Sequence, residues 1–109
     1  MFSHFRIVLI STIISTFAFA DLFFSEYAEG SSNNKWLEVY NPTDNAVDLS
    51  GYLLGNTSNA PTTAGEPEYF TAFTGATLGS GEVYVVCHGS ASSDLVGSHC
   101  DQTHQYLSN

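Results

Sequence analysis

The chain has 109 residues, a formal net charge of −9, and only two cationic side chains against eleven Asp and Glu. That balance excludes a segment that holds nucleic acid by itself, because phosphate binding needs clustered Lys and Arg that release counterions. Aromatic residues make up 14% of the chain, far above what an acidic disordered tail carries, so a folded core is expected.

Met1 to Arg6 forms a short n-region whose one formal cation is Arg6, and Ile7 to Phe19 is an apolar run diluted by Ser and Thr. It ends in Ala18-Phe19-Ala20, the small-x-small pattern that signal peptidase accepts. The reading is a signal peptide over residues 1–20, cleaved between Ala20 and Asp21, with residues 21–109 as one small domain. A bilayer span wants about 20 apolar residues, and Asp21 interrupts this run first, so no stable membrane insertion is expected. The expected location is secreted and extracellular, or periplasmic in a Gram-negative source. Cleavage removes Arg6 and leaves Lys35 as the one cation, a balance that suits solubility, calcium or a cationic partner.

Leu22 to Ala28 has the aromatic density of a strand. Gly30 to Asn34 is a run of turn formers. Lys35 to Tyr40 alternates with period two, so Leu37 and Val39 point one way while Trp36, Glu38 and Tyr40 point the other. Asn41 to Asn45 reads as a turn containing Pro42. Ala46 to Leu49 is a short strand, Ser50-Gly51 a break, and Tyr52 to Leu54 a further strand. Gly51 suits a tight corner at positive φ. Gly55 to Pro67 is a long polar connection with no convincing strand, a length uncommon unless functional or mobile. Tyr69 to Phe73 reads as a strand, Leu78 to Glu82 as a turn, and Val83 to His88 as the most β-prone stretch, with Val83, Val85 and Cys87 on one face. Gly89 to Gln102 is loop-like, with Asp94 to Val96 a short helical turn or strand, and Gln105 to Leu107 begins one more strand. Many short strands separated by turns, with no ten-residue helical period after the leader, point to an all-β sandwich or barrel.

Phe24-Ser25-Glu26-Tyr27, then Glu29 to Lys35, Leu37-Glu38-Val39-Tyr40-Asn41, and Val47 to Leu54 together resemble the lamin-tail domain, closest in likeness to the version found in secreted bacterial proteins. The likeness covers Leu22–Leu54, weakens through the polar connection, and returns at Leu78 to Val86. It implies an immunoglobulin-like β-sandwich. The family pattern would continue into closing strands past Asn109, so the domain is expected to be C-terminally truncated and to lack its last strand or strands. Cys87 and Cys100 stand outside the family pattern. The likeness further implies a secreted, non-catalytic interaction or adhesion module with a protein or surface partner. The alternative is an N-terminal accessory domain of an exported hydrolase, of nuclease or phosphatase type, whose catalytic region lies outside this chain.

In an exported protein the pair Cys87 and Cys100 favours a disulfide. It would close a loop of about 13 residues, worth roughly 3 kcal/mol. The rival is a zinc site from Cys87, His88, His99, Cys100 and His104. Against it, Cys87 and His88 face opposite sides of a regular strand. Glu26, Glu29, Glu38, Asp44 and Asp48 are candidate calcium ligands, but they match no calcium-binding loop, and a solvated acidic surface is preferred. Trp36 reads as a core residue or as an exposed aromatic for binding, with the structural role favoured. Asn56-Thr57-Ser58 is a glycosylation sequon at Asn56, relevant in a eukaryotic source. No metalloprotease, hydrolase-elbow or phosphate-loop motif is present, so no catalytic residue, cofactor or resident metal is assigned and enzyme activity is not expected.

Overall fold

The computed structural model describes residues 21–75, 77–105 and 107. The leader assigned to residues 1–20 lies outside them. Strands β1 (Phe23–Glu29) and β2 (Lys35–Tyr40) form an antiparallel hairpin that runs in register from Phe23↔Tyr40 to Glu29↔Lys35, with a bulge between Phe24 and Glu26. The run of turn formers between them closes on itself: the Gly30 N–H donates to the Asn34 carbonyl at 2.7 Å, and Ser32 takes the left-handed φ of 55°. The sequence puts its shortest polar side chains where the backbone bends most.

β2 pairs antiparallel with β7 (Val83–His88), and β7 pairs parallel with β8 (Gln102–His104), which gives a four-stranded sheet in the order β1-β2-β7-β8. Two ribbons complete the fold. β3 (Val47–Asp48) pairs with β6 (Thr77–Leu78), and β4 (Leu53–Asn56) pairs with β5 (Tyr69–Ala72). Leu37 and Val39 of β2 and Tyr84 and Val86 of β7 share a core with Leu49, Leu54, Leu78 and Leu107. Burying each of these apolar side chains contributes roughly 1.5–3 kcal/mol. The period-two reading of β2 thus holds: the face with Leu37 and Val39 is the inner one, and the all-β, immunoglobulin-like sandwich is the architecture of the chain.

Several local expectations need correction. The strand expected over Ala46–Leu49 is only Val47–Asp48, because Leu49–Gly51 winds into a 3₁₀ turn whose entry is capped by the Asp48 carboxylate on the Ser50 N–H. Gly51 sits inside that turn, and positive φ is found instead at Gly65 (83°) and Gly81 (74°). The polar connection starts later than Gly55, since Gly55 and Asn56 continue β4 against Phe70 and Tyr69. What remains is a loop tied shut by Glu68, whose carboxylate accepts the Ser58 and Asn59 N–H groups at 3.0 and 3.1 Å. Leu78, expected in a turn, closes β6. The strand expected over Gln105–Leu107 is displaced: β8 ends at His104, Gln105 is in a turn, and Tyr106 lies outside the described residues. Local apolar density located that strand a few residues late. Pairing with β7 is what selects Gln102–His104.

Between β7 and β8 the chain forms helix α1 (Ser93–His99). Parallel neighbours cannot be joined by a tight turn and need a crossover, and α1 provides it. Its cues were in the sequence. Ser92 is the N-cap, Asp94 lies in the first turn and His99 in the last, each favourable to the helix dipole. Two turns carrying Gly97 and Ser98 are too short for a helical period to stand out.

Candidate interaction site

The outer face of the four-stranded sheet bears a row of side chains set by strand register. Glu26 on β1 lies opposite Glu38 on β2, and Glu38 lies opposite Val85 on β7. One step along, Trp36 lies between Ala28 and Cys87. Beyond β7, the Asp101 backbone N–H donates to the Val85 carbonyl at 2.9 Å, and its carboxylate accepts the Val85 N–H at 2.8 Å. Asp101 therefore extends the ladder with a side chain in place of a peptide group.

Helix α1 forms a wall beside this face. Cys87 and Cys100 are bonded to each other, with Cα atoms 5.9 Å apart, which clasps the C-terminal end of α1 to β7 one residue before that strand's end. At the other end the Ser92 N–H donates to the Asn34 side-chain oxygen at 2.8 Å, tying the helix start to the β1–β2 turn. Between wall and sheet runs an open cleft of about 700 Å³, lined from the sheet side by Glu26, Trp36, Glu38, Val83, Val85 and Asp101 and from α1 by Leu95, Ser98 and His99.

Trp36 is half-buried here, on the outer face and away from the sandwich core. The core assignment is corrected on the same alternation that placed Leu37 inside. Its indole N–H donates to Glu26 Oε1 at 3.0 Å, which fixes the ring beside the carboxylates. Glu38 Oε1 accepts the Ser25 hydroxyl at 2.8 Å, a contact made possible by the bulge in β1. Among the described residues the lining contains three carboxylates and one imidazole, and neither Lys nor Arg.

The other singled-out residues are dispersed. Of the five acidic candidates for calcium, only Glu26 and Glu38 meet. Glu29 accepts the Tyr27 hydroxyl at the end of β1, Asp44 is exposed in its turn, and Asp48 caps the 3₁₀ turn. Among the described residues no group of three or more His, Cys, Asp or Glu is arranged to hold a metal ion. The disulfide takes both sulfurs that the zinc alternative needed.

His88 and His104 are brought together in a way the sequence did not announce. They are register partners on β7 and β8, and both are buried. His104 Nε2–H donates to Asn56 Oδ1 at 3.0 Å, and His88 Nδ1 accepts the Ser90 N–H at 3.0 Å. Burial first, and the neighbouring His88 second, hold His104 below the ordinary histidine pKa of 6.5. The sequon residue Asn56 thus has its side-chain oxygen turned to a buried imidazole. Asp21, at the expected cleavage point, accepts the Tyr52 hydroxyl at 2.6 Å, which lowers its pKa and raises that of Tyr52.

An immunoglobulin-like sandwich with an aromatic and acidic cleft on its outer face belongs to the class of interaction modules, which are typically non-catalytic. The chain belongs to the lamin tail domain family, whose family model, Lamin Tail Domain, matches residues 15–109. Neither a curated protein nor a solved structure matches it significantly. Among the described residues no helix is long and apolar enough to cross a membrane.

Proposed function

We propose that the chain is an exported, non-catalytic interaction module of the secreted lamin-tail type, used for adhesion or for positioning a partner. The observation that carries this reading is the cleft beside α1. The disulfide clasp holds α1 beside the outer face, where a tryptophan and three carboxylates line one open recess. A disulfide also fits an oxidising compartment, as does the leader pattern ending at Ala20.

Two measurements test it. Mass spectrometry of the protein recovered from the medium or periplasm should give a chain beginning at Asp21, and an intact Met1 would overturn export by cleavage. The labelled, oxidised protein should be retained saturably on the surface of the producing cells and be displaced by unlabelled protein. Absent or non-saturable retention would overturn the adhesion role. A transcript that continues in frame past Asn109 into metal-binding catalytic motifs would instead make the domain an accessory to an exported hydrolase.

A further inference from the structure

We propose that the cleft beside α1 is a receptor for a basic side chain of a partner polypeptide, with arginine fitting it better than lysine. This deepens the interaction-module reading and rests on it.

The first ground is a pair of like charges set side by side. Glu26 and Glu38 stand directly opposite each other on neighbouring strands, about 5 Å apart at Cβ, where like charges destabilise a sheet. Among the described residues the side chains that donate to them are neutral, the Trp36 indole N–H and the Ser25 hydroxyl. Asp101 is likewise held by a neutral donor, the Val85 N–H. A cation entering the cleft removes the repulsion at once, so its binding is favoured over that of a neutral group of the same shape. Three carboxylates elsewhere cap N–H groups: Asp48 on the 3₁₀ turn, Glu68 on its loop, and Glu82 on Gly79. The opposed pair on the outer face caps nothing.

The second ground is the company these carboxylates keep. Trp36 is fixed next to them by its own hydrogen bond, and an indole face within about 6 Å of a cation attracts it. Val83, Val85 and Leu95 offer apolar surface to the methylene stem of a long basic side chain. A recess of about 700 Å³ admits such a side chain with part of its backbone. A guanidinium brings five donors in a planar fork that can serve two carboxylates and stack on an indole, whereas an ammonium is a point charge. Calcium is a poorer match, because it takes six to eight oxygen ligands and here meets a tryptophan and two valines. Among the described residues His99, which lines the cleft from α1, is its remaining ionisable group.

Trp36 is the one tryptophan of the chain, so its fluorescence reports on the cleft directly. The oxidised full chain would be titrated with a short Gly/Ser peptide carrying one arginine, with the lysine and citrulline versions of that peptide, with calcium chloride and with a neutral oligosaccharide. The arginine peptide should shift Trp36 emission saturably and more tightly than the lysine peptide. Citrulline, which keeps the shape without the charge, should bind at least tenfold more weakly. Glu26→Gln with Glu38→Gln should weaken the arginine peptide at least tenfold, while keeping the oxygen acceptors that Trp36 and Ser25 use. Glu66→Gln, away from the cleft, should leave affinity unchanged. Equal binding of arginine and citrulline peptides, binding untouched by the double variant, or saturation by calcium or the oligosaccharide instead would each overturn the proposal. Cell-surface retention separates the two readings. Retention that survives the double variant leaves the interaction module standing and removes this cleft from it, and absence of retention by the unaltered protein removes the adhesion role while leaving the peptide titration to decide the cleft.

Discussion

Asn41 has no exposed surface, and both ends of its side chain are engaged. Its Nδ2 reaches the carbonyls of Asn45, Leu78 and Gly79 at 2.8 to 3.1 Å, and its Oδ1 accepts from the Thr43 N–H and hydroxyl. One amide thereby joins the end of β2 to the β6–β7 turn and to the turn containing Pro42. Asn41→Ala leaves buried carbonyls without donors and should cost about 3 kcal/mol, read as a lower urea midpoint. Asn41→Asp, which cannot donate, should lose a similar amount. An unchanged midpoint would refute this role. Glycines divide by what surrounds them. A Cβ on Gly75 would lie 2.4 Å from Tyr84 Cε2, against a ring whose hydroxyl contacts both the Gly75 N–H and Gln102. Gly75→Ala should therefore lower the melting temperature. Gly51→Ala should leave it equal or raise it, because nothing stands within 4 Å and alanine restricts the unfolded chain. Asn41 was legible in the sequence only as a turn former. Its burial follows from two segments far apart in sequence closing over it.

At the scale of elements the decisive unit is β7–α1–β8. The disulfide spans the crossover from Cys87 on β7 to Cys100 at the end of α1, a separation of 13 residues. Replacing both cysteines with serine should lower stability by about 3 kcal/mol through the freed unfolded chain. It should also release α1, so that arginine-peptide binding weakens along with stability. Thiol titration of the denatured, unreduced protein should find no reactive thiol, and two reactive thiols would contradict the clasp. The β1–β2 hairpin, by contrast, was readable from the sequence almost residue by residue. Its alternation and turn chemistry are local, while the crossover depends on which strand accepts a parallel neighbour.

For the whole molecule, acid response follows from one buried contact. His104 joins β8 to β4 through Asn56 and lies beside His88 of β7, so protonating it places a charge between the layers of the sandwich. Its pKa is lowered on folding, so the unfolded chain binds the proton more readily. Stability is complete above the ordinary value of 6.5 and is lost as pH falls below it through the folded value. The melting temperature should fall between pH 7.5 and pH 5, and His104→Gln, which keeps a donor for Asn56, should flatten that dependence. A rise in stability on acidification would refute it. The lowered pKa values of Asp48 and Glu68 act in the same direction, at lower pH, near and below 3.8 and 4.5. By itself the sequence determined the all-β class, the family, the inner face of β2 and the turns around it, because period-two alternation and turn chemistry are local properties. Only the tertiary structure decided that Glu26 joins Trp36 and Glu38 on the outer face, that α1 walls a cleft there, and that two histidines share the interior. Each of these is set by strand register between segments distant in sequence, which no local pattern encodes.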